Sequence, residues 1–352
     1  MPFELNEKIK NLSPYDPICG EYPIRLDANE SFVLPPKNIQ NSIVEALSSV
    51  SFNRYPDCLA TEVCKKFAKI CNVSEELVVA GNGSDEIISI IMTAFLQKGD
   101  KVITLLPDFS MYKFYTTLVE CECKEFFKDE NFKVDFESLI DEVNSSKARM
   151  VIFSNPCNPT SVGFLADDIK KLIECTDALI VLDEAYMDFW NQSLLSQVQD
   201  YDNLIILKTC SKALGFACVR LGFAIANKTL TDVIKAAKSP YNVNSLTQAA
   251  ADVLLSHTQY IEQTTKSIIK SRKMLYADLK EIEQKMPEKL RLYESNTNFL
   301  FVKTNDATKI FGYLKSQGII VRNMNGYLRI TAGTEFENQQ VIKNLKKFYK
   351  VG

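Results

Sequence analysis

The sequence predicts an α/β fold in which a mostly parallel sheet is covered by helices. From about residue 37, short apolar segments alternate with helical segments, and the predicted strands are apolar on both faces, as strands buried in a parallel sheet are. The chain has 352 residues and is 46% hydrophobic, which is enough to bury such a core. After residue 289 the pattern changes to strand, helix, strand, strand and helix, which predicts a smaller α+β domain.

The predicted elements follow one another in a regular order. Six strands are predicted at residues 77–80, 101–105, 150–154, 178–182, 204–209 and 222–226. Helices are predicted at 84–97, 167–175 and 229–237, and a long helical tract runs from 240 to about 286. The last elements are predicted at 298–302, 307–317, 319–321, 327–331 and 337–349. We therefore expect an N-terminal arm (1–34), a large domain (35–245) and a small domain with its linking helix (246–352).

Charge and composition exclude several classes of function. The 41 basic and 44 acidic residues give a net charge of −3, so no overall field favours nucleic acid or an anionic membrane. The longest apolar runs fall short of the about 20 residues that a membrane span needs. The N-terminus shows no apolar signal region, so we expect a cytoplasmic protein. His257 is the single histidine and the ten cysteines form no CxxC pair, so we expect buried, reduced thiols and no metal site.

Two polar clusters follow predicted strands, where the sites of parallel sheets form. GNGSDE at 81–86 places Ser84 and Asp85 at the start of a helix, where free N–H groups either bind a phosphate or are simply capped by one of these side chains. VLDEAY at 181–186 places Asp183 at the end of an apolar strand. A carboxylate there needs a compensating partner, which is either a cation such as a protonated pyridine nitrogen or a helix end or arginine.

A third cluster, KTCSKALGFACVRLG at 208–222, combines hydroxyls with two cations. Thr209, Ser211 and Arg220 are suited to a phosphate dianion because the guanidinium fork matches its oxygens. Lys212 stands beside them and could condense with an aldehyde. A surface charge is the alternative for a single lysine, and the small residues around this one weigh against it.

Two further clusters offer groups for an aromatic ring. In SNPCNPT at 154–160, two X-Pro steps fix an extended turn that either holds Asn158 against a ring oxygen or is only a tight loop. In PDFSMY at 107–112, Phe109 offers a flat face on which a ring could stack, or it is a core aromatic.

Taken in order, seven motifs resemble those of the fold-type I aminotransferases that depend on pyridoxal phosphate, and most closely the histidinol-phosphate branch of that family. The motifs are RYPD (54–57), GNGSDE, PDFSMY, NPCNPT, VLDEAY, SKALGFACVRLG and YLRITAGT (327–334). The resemblance extends from about residue 10 to 348 with order and spacing preserved. It implies a mostly parallel seven-stranded sheet with helices on both faces, a smaller α+β domain, pyridoxal phosphate as cofactor and a homodimer.

The resemblance also implies a role for each matching residue. Lys212 would form the Schiff base with the cofactor and move the substrate proton, Asp183 would pair with the ring nitrogen, and Tyr186 would bond the ring 3′-oxygen together with Asn158. Phe109 would stack on the ring. The phosphate would be held by Ser84, Asp85, Thr209, Ser211, Arg220 and, from a second subunit, Tyr55. The substrate would be bound by Tyr15, Asn29, Arg322 and Arg329, with Arg329 receiving the carboxylate of 2-oxoglutarate or glutamate.

The activity implied is amino transfer between L-histidinol phosphate and 2-oxoglutarate, a step of histidine biosynthesis. Two other activities on the same fold stay open. One is decarboxylation of threonine phosphate, and the other is transamination of aromatic amino acids. A non-catalytic, cofactor-binding regulator is a third alternative, although such proteins usually lose the lysine or gain a DNA-binding module, and neither is seen in this sequence.

Overall fold

The fold is built on two sheets, and the computed structural model describes residues 3–10, 12 and 18–351. The larger sheet consists of β2 (Val78–Gly81), β3 (Lys101–Leu106), β4 (Glu122–Phe127), β5 (Met150–Ser154), β6 (Leu179–Asp183), β7 (Leu204–Thr209) and β8 (Gly222–Ala226). Its order is β2-β8-β7-β6-β5-β3-β4, and within it β8 alone runs antiparallel to its neighbours. The predicted mostly parallel, seven-stranded sheet is confirmed.

Helices cover both faces of this sheet. The helices of the described residues are α1 (Glu7–Lys10), α2 (Lys37–Ser48), α3 (Thr61–Cys71), α4 (Ser84–Phe95), α5 (Met111–Leu118), α6 (Phe136–Ser146), α7 (Ala166–Glu174), α8 (Lys228–Ala237), α9 (Ser245–Leu255), α10 (Thr258–Lys285), α11 (Ala307–Ser316) and α12 (Glu335–Tyr349). In β6, Val181 packs in one core cluster with Ile88 of α4, whereas Ile180 and Leu182 pack in another with Leu139 of α6. Alternate residues of one strand therefore face two helical layers, as expected for a sheet buried on both sides.

The smaller sheet consists of β1 (Ile24–Leu26), β9 (Arg291–Leu292), β10 (Phe299–Lys303), β11 (Ile319–Asn323) and β12 (Tyr327–Thr331), in the order β1-β11-β12-β10-β9. Strand β1 comes from the N-terminal part of the chain and pairs in parallel with β11. Helix α10 joins the two cores, because Ile268 packs with the large sheet whereas Leu275 and Leu279 pack with the small one.

Three strands were not predicted from the sequence, and one of them, β9, has only two residues. Strand β4 has the sequence ECKEFF, pairs only with β3, and has no fully buried residue. An edge strand of this kind carries charged side chains and little apolar pattern, which hides it from a hydrophobicity-based prediction. Strand β1 has three residues and lies in a turn-rich segment. The long helical tract is divided into α9 and α10 at Ser256 and His257.

The described part of the chain contains no helix that combines the length and the apolar character needed to cross a membrane. Over the same ranges, no group of three or more His, Cys, Asp or Glu side chains is arranged to hold a metal ion. None of the ten cysteines, all of which lie within the described residues, forms a disulfide, but the expectation that they are buried is right only for Cys64, Cys157 and Cys210. The other seven are half-buried or exposed.

Candidate active site

A cavity of about 440 Å³ lies at the carboxyl ends of β5, β6 and β7, with residues of the small sheet on its other side. Parallel strands end at the same edge of a sheet, so the polar clusters that follow them meet there. All but two of the predicted site residues line this cavity: Asn29, Ser84, Asp85, Phe109, Asn158, Asp183, Tyr186, Thr209, Ser211, Lys212, Arg220, Arg322 and Arg329.

The two remaining residues are tyrosines. Tyr55 does not line the cavity of its own chain. It is 81% exposed and stacks on Tyr241, with ring centroids 4.6 Å apart. Tyr15 lies outside the described residues.

One end of the cavity is suited to a phosphate. The first turn of α4 presents Ser84 and Asp85 there, and the loop after β7 presents Ser211, whose N–H donates to Thr209 Oγ1 over 3.2 Å. Arg220 Nη1 lies 3.5 Å from Ser211 Oγ, and its Nη2 lies 3.5 Å from Asp85 Oδ2. A helix N-terminus, two hydroxyl groups at the end of β7 and in the loop after it, and a guanidinium therefore converge at this end of the cavity, an arrangement that attracts phosphate dianions.

Two glycines leave the room that this phosphate end needs. A Cβ added to Gly222 would lie 2.5 Å from the backbone nitrogen of Ser84, and one added to Gly83 would lie 2.8 Å from Arg220 Nη2. Any side chain at Gly222 would therefore displace the start of α4, because backbone atoms of that turn would have to move.

We expect Gly222→Ala to raise the dissociation constant of pyridoxal phosphate by roughly tenfold or more, because overpacking of this kind costs about 1–3 kcal/mol. Titration of the apoprotein with the cofactor, followed by absorbance, measures the change. Gly312→Ala in α11 is the matched control, since a Cβ there meets no atom within 4 Å. Equal affinities of the Gly222 variant and the control would show that cofactor binding does not need the close approach of Gly222 to the start of α4.

The far wall of the cavity holds a buried carboxylate, Asp183, at the end of β6. It is 5% exposed, its Oδ1 accepts the backbone N–H of Ala185 over 3.0 Å, and its Oδ2 accepts the hydroxyl of Tyr112 over 2.8 Å. Burial raises the pKa of Asp183 to about 6, against the lowering effect of the Tyr112 hydrogen bond. Neither donor is a cation, so a cationic group entering the cavity would stabilise the ionised carboxylate.

Lys212 lines the same cavity from the loop that follows β7, the neighbour of β6 in the sheet. Its Nζ donates to the carbonyl oxygen of Ala28 over 3.1 Å and lies 5.8 Å from the ring centre of Tyr186. The Tyr186 hydroxyl accepts a hydrogen bond from Asn29 Nδ2 over 2.9 Å, and Asn29 Oδ1 accepts one from Thr331 Oγ1 over 3.1 Å. The lysine therefore stands in a network that joins the N-terminal segment, the large sheet and the small sheet.

Two arginines form the wall contributed by the small sheet. Arg322 of β11 and Arg329 of β12 are direct partners across the antiparallel pair, and both line the cavity. Arg329 donates from Nη1 to Asn158 Oδ1 and from Nη2 to the carbonyl oxygen of Asp27, the latter over 2.6 Å. Like charges opposite one another on neighbouring strands repel, and an anion bound between the two guanidinium groups would reduce that repulsion.

Comparison with known proteins decides the family of this site. The family described as aminotransferase class I and II matches residues 22–345, nearly the whole chain. The chain belongs to the class I and II aminotransferase family.

The relatives within this aminotransferase family are similar over their full length. A histidinol-phosphate aminotransferase of Clostridium novyi (strain NT) is 40% identical, over 96% of this chain and 95% of its own. One of Clostridium kluyveri (strain NBRC 12016) is 38% identical, over 98% of each. The fold matches the crystal structure of histidinol-phosphate aminotransferase from Sinorhizobium meliloti in complex with pyridoxal-5'-phosphate, with a TM-score of 0.86, 22% identity and coverage of 98% of this chain and 97% of that one.

Aminotransferases of this family depend on pyridoxal phosphate, and the cavity of this chain fits that cofactor. The phosphate end includes the start of α4, which can lie where it does only because Gly222 has no Cβ. The buried carboxylate of Asp183 has only neutral donors among its hydrogen-bond partners and suits a protonated ring nitrogen. Phe109 offers an aromatic face in between, and Lys212 provides the amine.

The structure adds residues to this aminotransferase site that the sequence reasoning did not single out. Tyr112 lines the cavity and bonds Asp183. Asp108 also lines the cavity and is paired with buried Lys128 at 3.5 Å, while its carboxylate accepts the backbone N–H of Ser154 over 3.2 Å. Burial raises the pKa of Asp108, and the charge of Lys128 opposes that effect. Tyr112 and Asp108 both belong to the motif PDFSMY. For Tyr112, the available signal was its spacing of about one helical turn from Phe109.

Proposed function

We propose that this aminotransferase moves an amino group between L-histidinol phosphate and 2-oxoglutarate, as a step of histidine biosynthesis. The names of the relatives, which are up to 40% identical over nearly the full chain, support this substrate. The observation that carries the proposal is the pair of arginines, Arg322 and Arg329, which line the cavity from the small sheet. The proposed substrates bear a phosphate on the donor and carboxylates on the acceptor, and a guanidinium pair can bind either anion.

The residues that would hold the cofactor are those predicted from the sequence. Arg220, Ser84, Thr209 and Ser211 would bind its phosphate. Because a carboxylate repels a phosphate, Asp85 would contribute its backbone N–H at the start of α4 rather than its side chain. Phe109 would stack on the ring, Asn158 and Tyr186 would bond its 3′-oxygen, and Asp183 would pair with its nitrogen.

Pyridoxal phosphate, when bound, supplies an aldehyde that condenses with amines and a protonated ring that stabilises negative charge on the neighbouring carbon. Lys212 would hold the cofactor through its amine and, once released by the substrate, carry the proton away from the substrate α-carbon. Asp183 would keep the ring nitrogen protonated because the buried carboxylate is stabilised by that charge. Arg329 would receive the carboxylate of 2-oxoglutarate, and Arg322 with Asn29 and Tyr15 would complete the substrate site.

We further propose a homodimer in which Tyr55 reaches the phosphate site of a second subunit. Between residues 34 and 59 the chain exposes five large apolar side chains, which a second subunit would cover. The side chains are Leu34, Val44, Phe52, Tyr55 and Leu59. A cytoplasmic location stays a prediction.

A panel of amino donors tests the proposed substrate. Histidinol phosphate, phenylalanine, tyrosine and threonine phosphate are each supplied with 2-oxoglutarate, and glutamate and carbon dioxide are measured. We expect the highest kcat/KM for histidinol phosphate. A higher value for phenylalanine or tyrosine would favour the aromatic aminotransferase, and release of carbon dioxide from threonine phosphate would favour the decarboxylase.

Arg322→Ala is expected to raise the KM for the phosphorylated donor by about 10- to 100-fold, because a charged hydrogen-bonding partner of the phosphate is lost. The KM for glutamate, which has no phosphate, should change far less. Arg149→Ala is the control, since Arg149 is exposed and precedes β5 at the end opposite the cavity. Equal effects of Arg322→Ala on both substrates would argue against contact with the phosphate.

A further inference from the structure

Tyr112 contacts two of the side chains that would hold the cofactor ring, Asp183 and Phe109. The tyrosine is fully buried, and its hydroxyl donates to Asp183 Oδ2 over 2.8 Å. Its ring forms a T-shaped pair with that of Phe109, with centroids 5.5 Å apart and planes at 82°. Tyr112 therefore contacts both Asp183, the predicted partner of the cofactor ring nitrogen, and Phe109, which is predicted to stack on the cofactor ring.

The hydrogen bond matters because Asp183 has few stabilising neighbours. A buried carboxylate stays ionised only where hydrogen bonds or cations compensate for lost hydration. Besides Tyr112, the backbone N–H of Ala185 bonds Asp183, whereas the carboxylates of Asp108 and Asp85 oppose its ionisation. Burial and the charge of Asp183 raise the pKa of Tyr112 well above its ordinary value, so the phenol stays protonated and acts as a donor.

The position of Tyr112 is itself fixed. The residue lies in the first turn of α5, three residues after Phe109. Asp108 anchors the start of this segment, because its Oδ1 accepts the backbone N–H of Phe109 over 2.8 Å and its Oδ2 is paired with Lys128. Phe109 and Tyr112 therefore lie in one anchored segment. The rigid ring of Tyr112 places its hydroxyl against Asp183.

We propose that Tyr112 is a positioning residue of the cofactor site, whose hydroxyl orients the Asp183 carboxylate and keeps it ionised, and whose ring supports Phe109. The inference rests on the proposed function, because the group that Asp183 would meet is the ring nitrogen of pyridoxal phosphate. Tyr112 acts through Asp183 and Phe109 rather than on the substrate. The hydroxyl and the ring make separate contributions, and removal of the hydroxyl alone isolates the first.

Tyr112→Phe removes the hydroxyl and keeps the ring. We expect the dissociation constant of pyridoxal phosphate, measured by titration of the apoprotein, to rise about tenfold, as for loss of a hydrogen bond to a charged group. The visible absorption of the bound cofactor should also change, because its nitrogen is less firmly protonated. Tyr201→Phe is the control, since that hydroxyl also donates to a carboxylate, Glu174 Oε1 at 3.3 Å, but lies outside the cavity.

The same substitution in an Asp183→Ala protein distinguishes positioning of the Asp183 carboxylate from packing of the Tyr112 ring. In Asp183→Ala the hydroxyl of Tyr112 has lost its acceptor, so the further change to phenylalanine should alter the dissociation constant by less than about twofold. A tenfold loss in both backgrounds would overturn the proposal, and so would unchanged affinity and absorption in Tyr112→Phe alone. Failure of the proposed function would be seen in the unaltered protein rather than in the variants. The unaltered protein would then fail to bind the cofactor or to transaminate any donor of the panel.

Discussion

Replacing Lys212 with alanine is expected to lower kcat by about 10⁴-fold or more, which is the upper range for loss of a positioned proton-transfer group. The lysine amine stands at the edge of the sheet where the cofactor residues converge, and no other lysine lines the cavity among the described residues. No neighbouring amine is thus placed to take over its role. Initial rates of glutamate formation from histidinol phosphate and 2-oxoglutarate measure the loss.

The matched control for this prediction is Lys266→Ala, which removes an exposed lysine of α10 whose side chain is 77% accessible. It should leave kcat unchanged. Circular dichroism of both variants shows whether the fold is retained. A folded Lys212→Ala variant with the kcat of the control would show that the proton is carried by another group.

Replacing Lys128 with methionine is expected to destabilise the protein by about 3–5 kcal/mol, the range for removing one partner of a buried ion pair. The side chains of Lys128 and Asp108 are 0% and 1% exposed, so the carboxylate left behind would be almost wholly shielded from solvent. Lys128 Nζ also donates to the carbonyl oxygen of Pro107 over 2.8 Å, which ties the segment carrying Phe109 to the end of β4. Urea unfolding of the apoprotein measures the change in the free energy of unfolding.

Lys124→Met provides the comparison. That lysine lies in β4 and is paired with Glu142, but it is 43% exposed, so its loss should cost no more than about 1 kcal/mol. Combining Lys128→Met with Asp108→Asn removes the unpaired charge and should restore part of the stability. If Lys128→Met proved no more destabilising than Lys124→Met, the buried pair would contribute little to the fold.

Much of the large sheet could be predicted because its strands are apolar on both faces. Strands β5, β7 and β8 have the predicted limits, and they bring Ser154, Thr209 and Gly222 to the edge where the site forms. Strand β4 was missed because an edge strand needs no continuous apolar run. The apolar pattern therefore identifies the buried strands that carry the site, but it does not identify β4 at the edge of the sheet.

The phosphate end of the candidate site could be predicted because several of the residues that form it lie in one motif. Thr209, Ser211 and Arg220 lie within one stretch of sequence and meet in the structure. The bond from Tyr112 to Asp183 and the pair of Lys128 with Asp108 join residues 71 and 20 positions apart. Such contacts depend on how helices and strands pack, and the sequence pattern of either partner alone does not indicate them.

Reduction of the holoenzyme with borohydride, followed by digestion and peptide mass mapping, tests the central claim most directly. Borohydride fixes the cofactor to the amine that holds it, so the added mass reports the attachment site without relying on activity. We expect the added mass on the peptide that contains Lys212, as the central claim requires. Added mass on a different lysine, or on none, would contradict it.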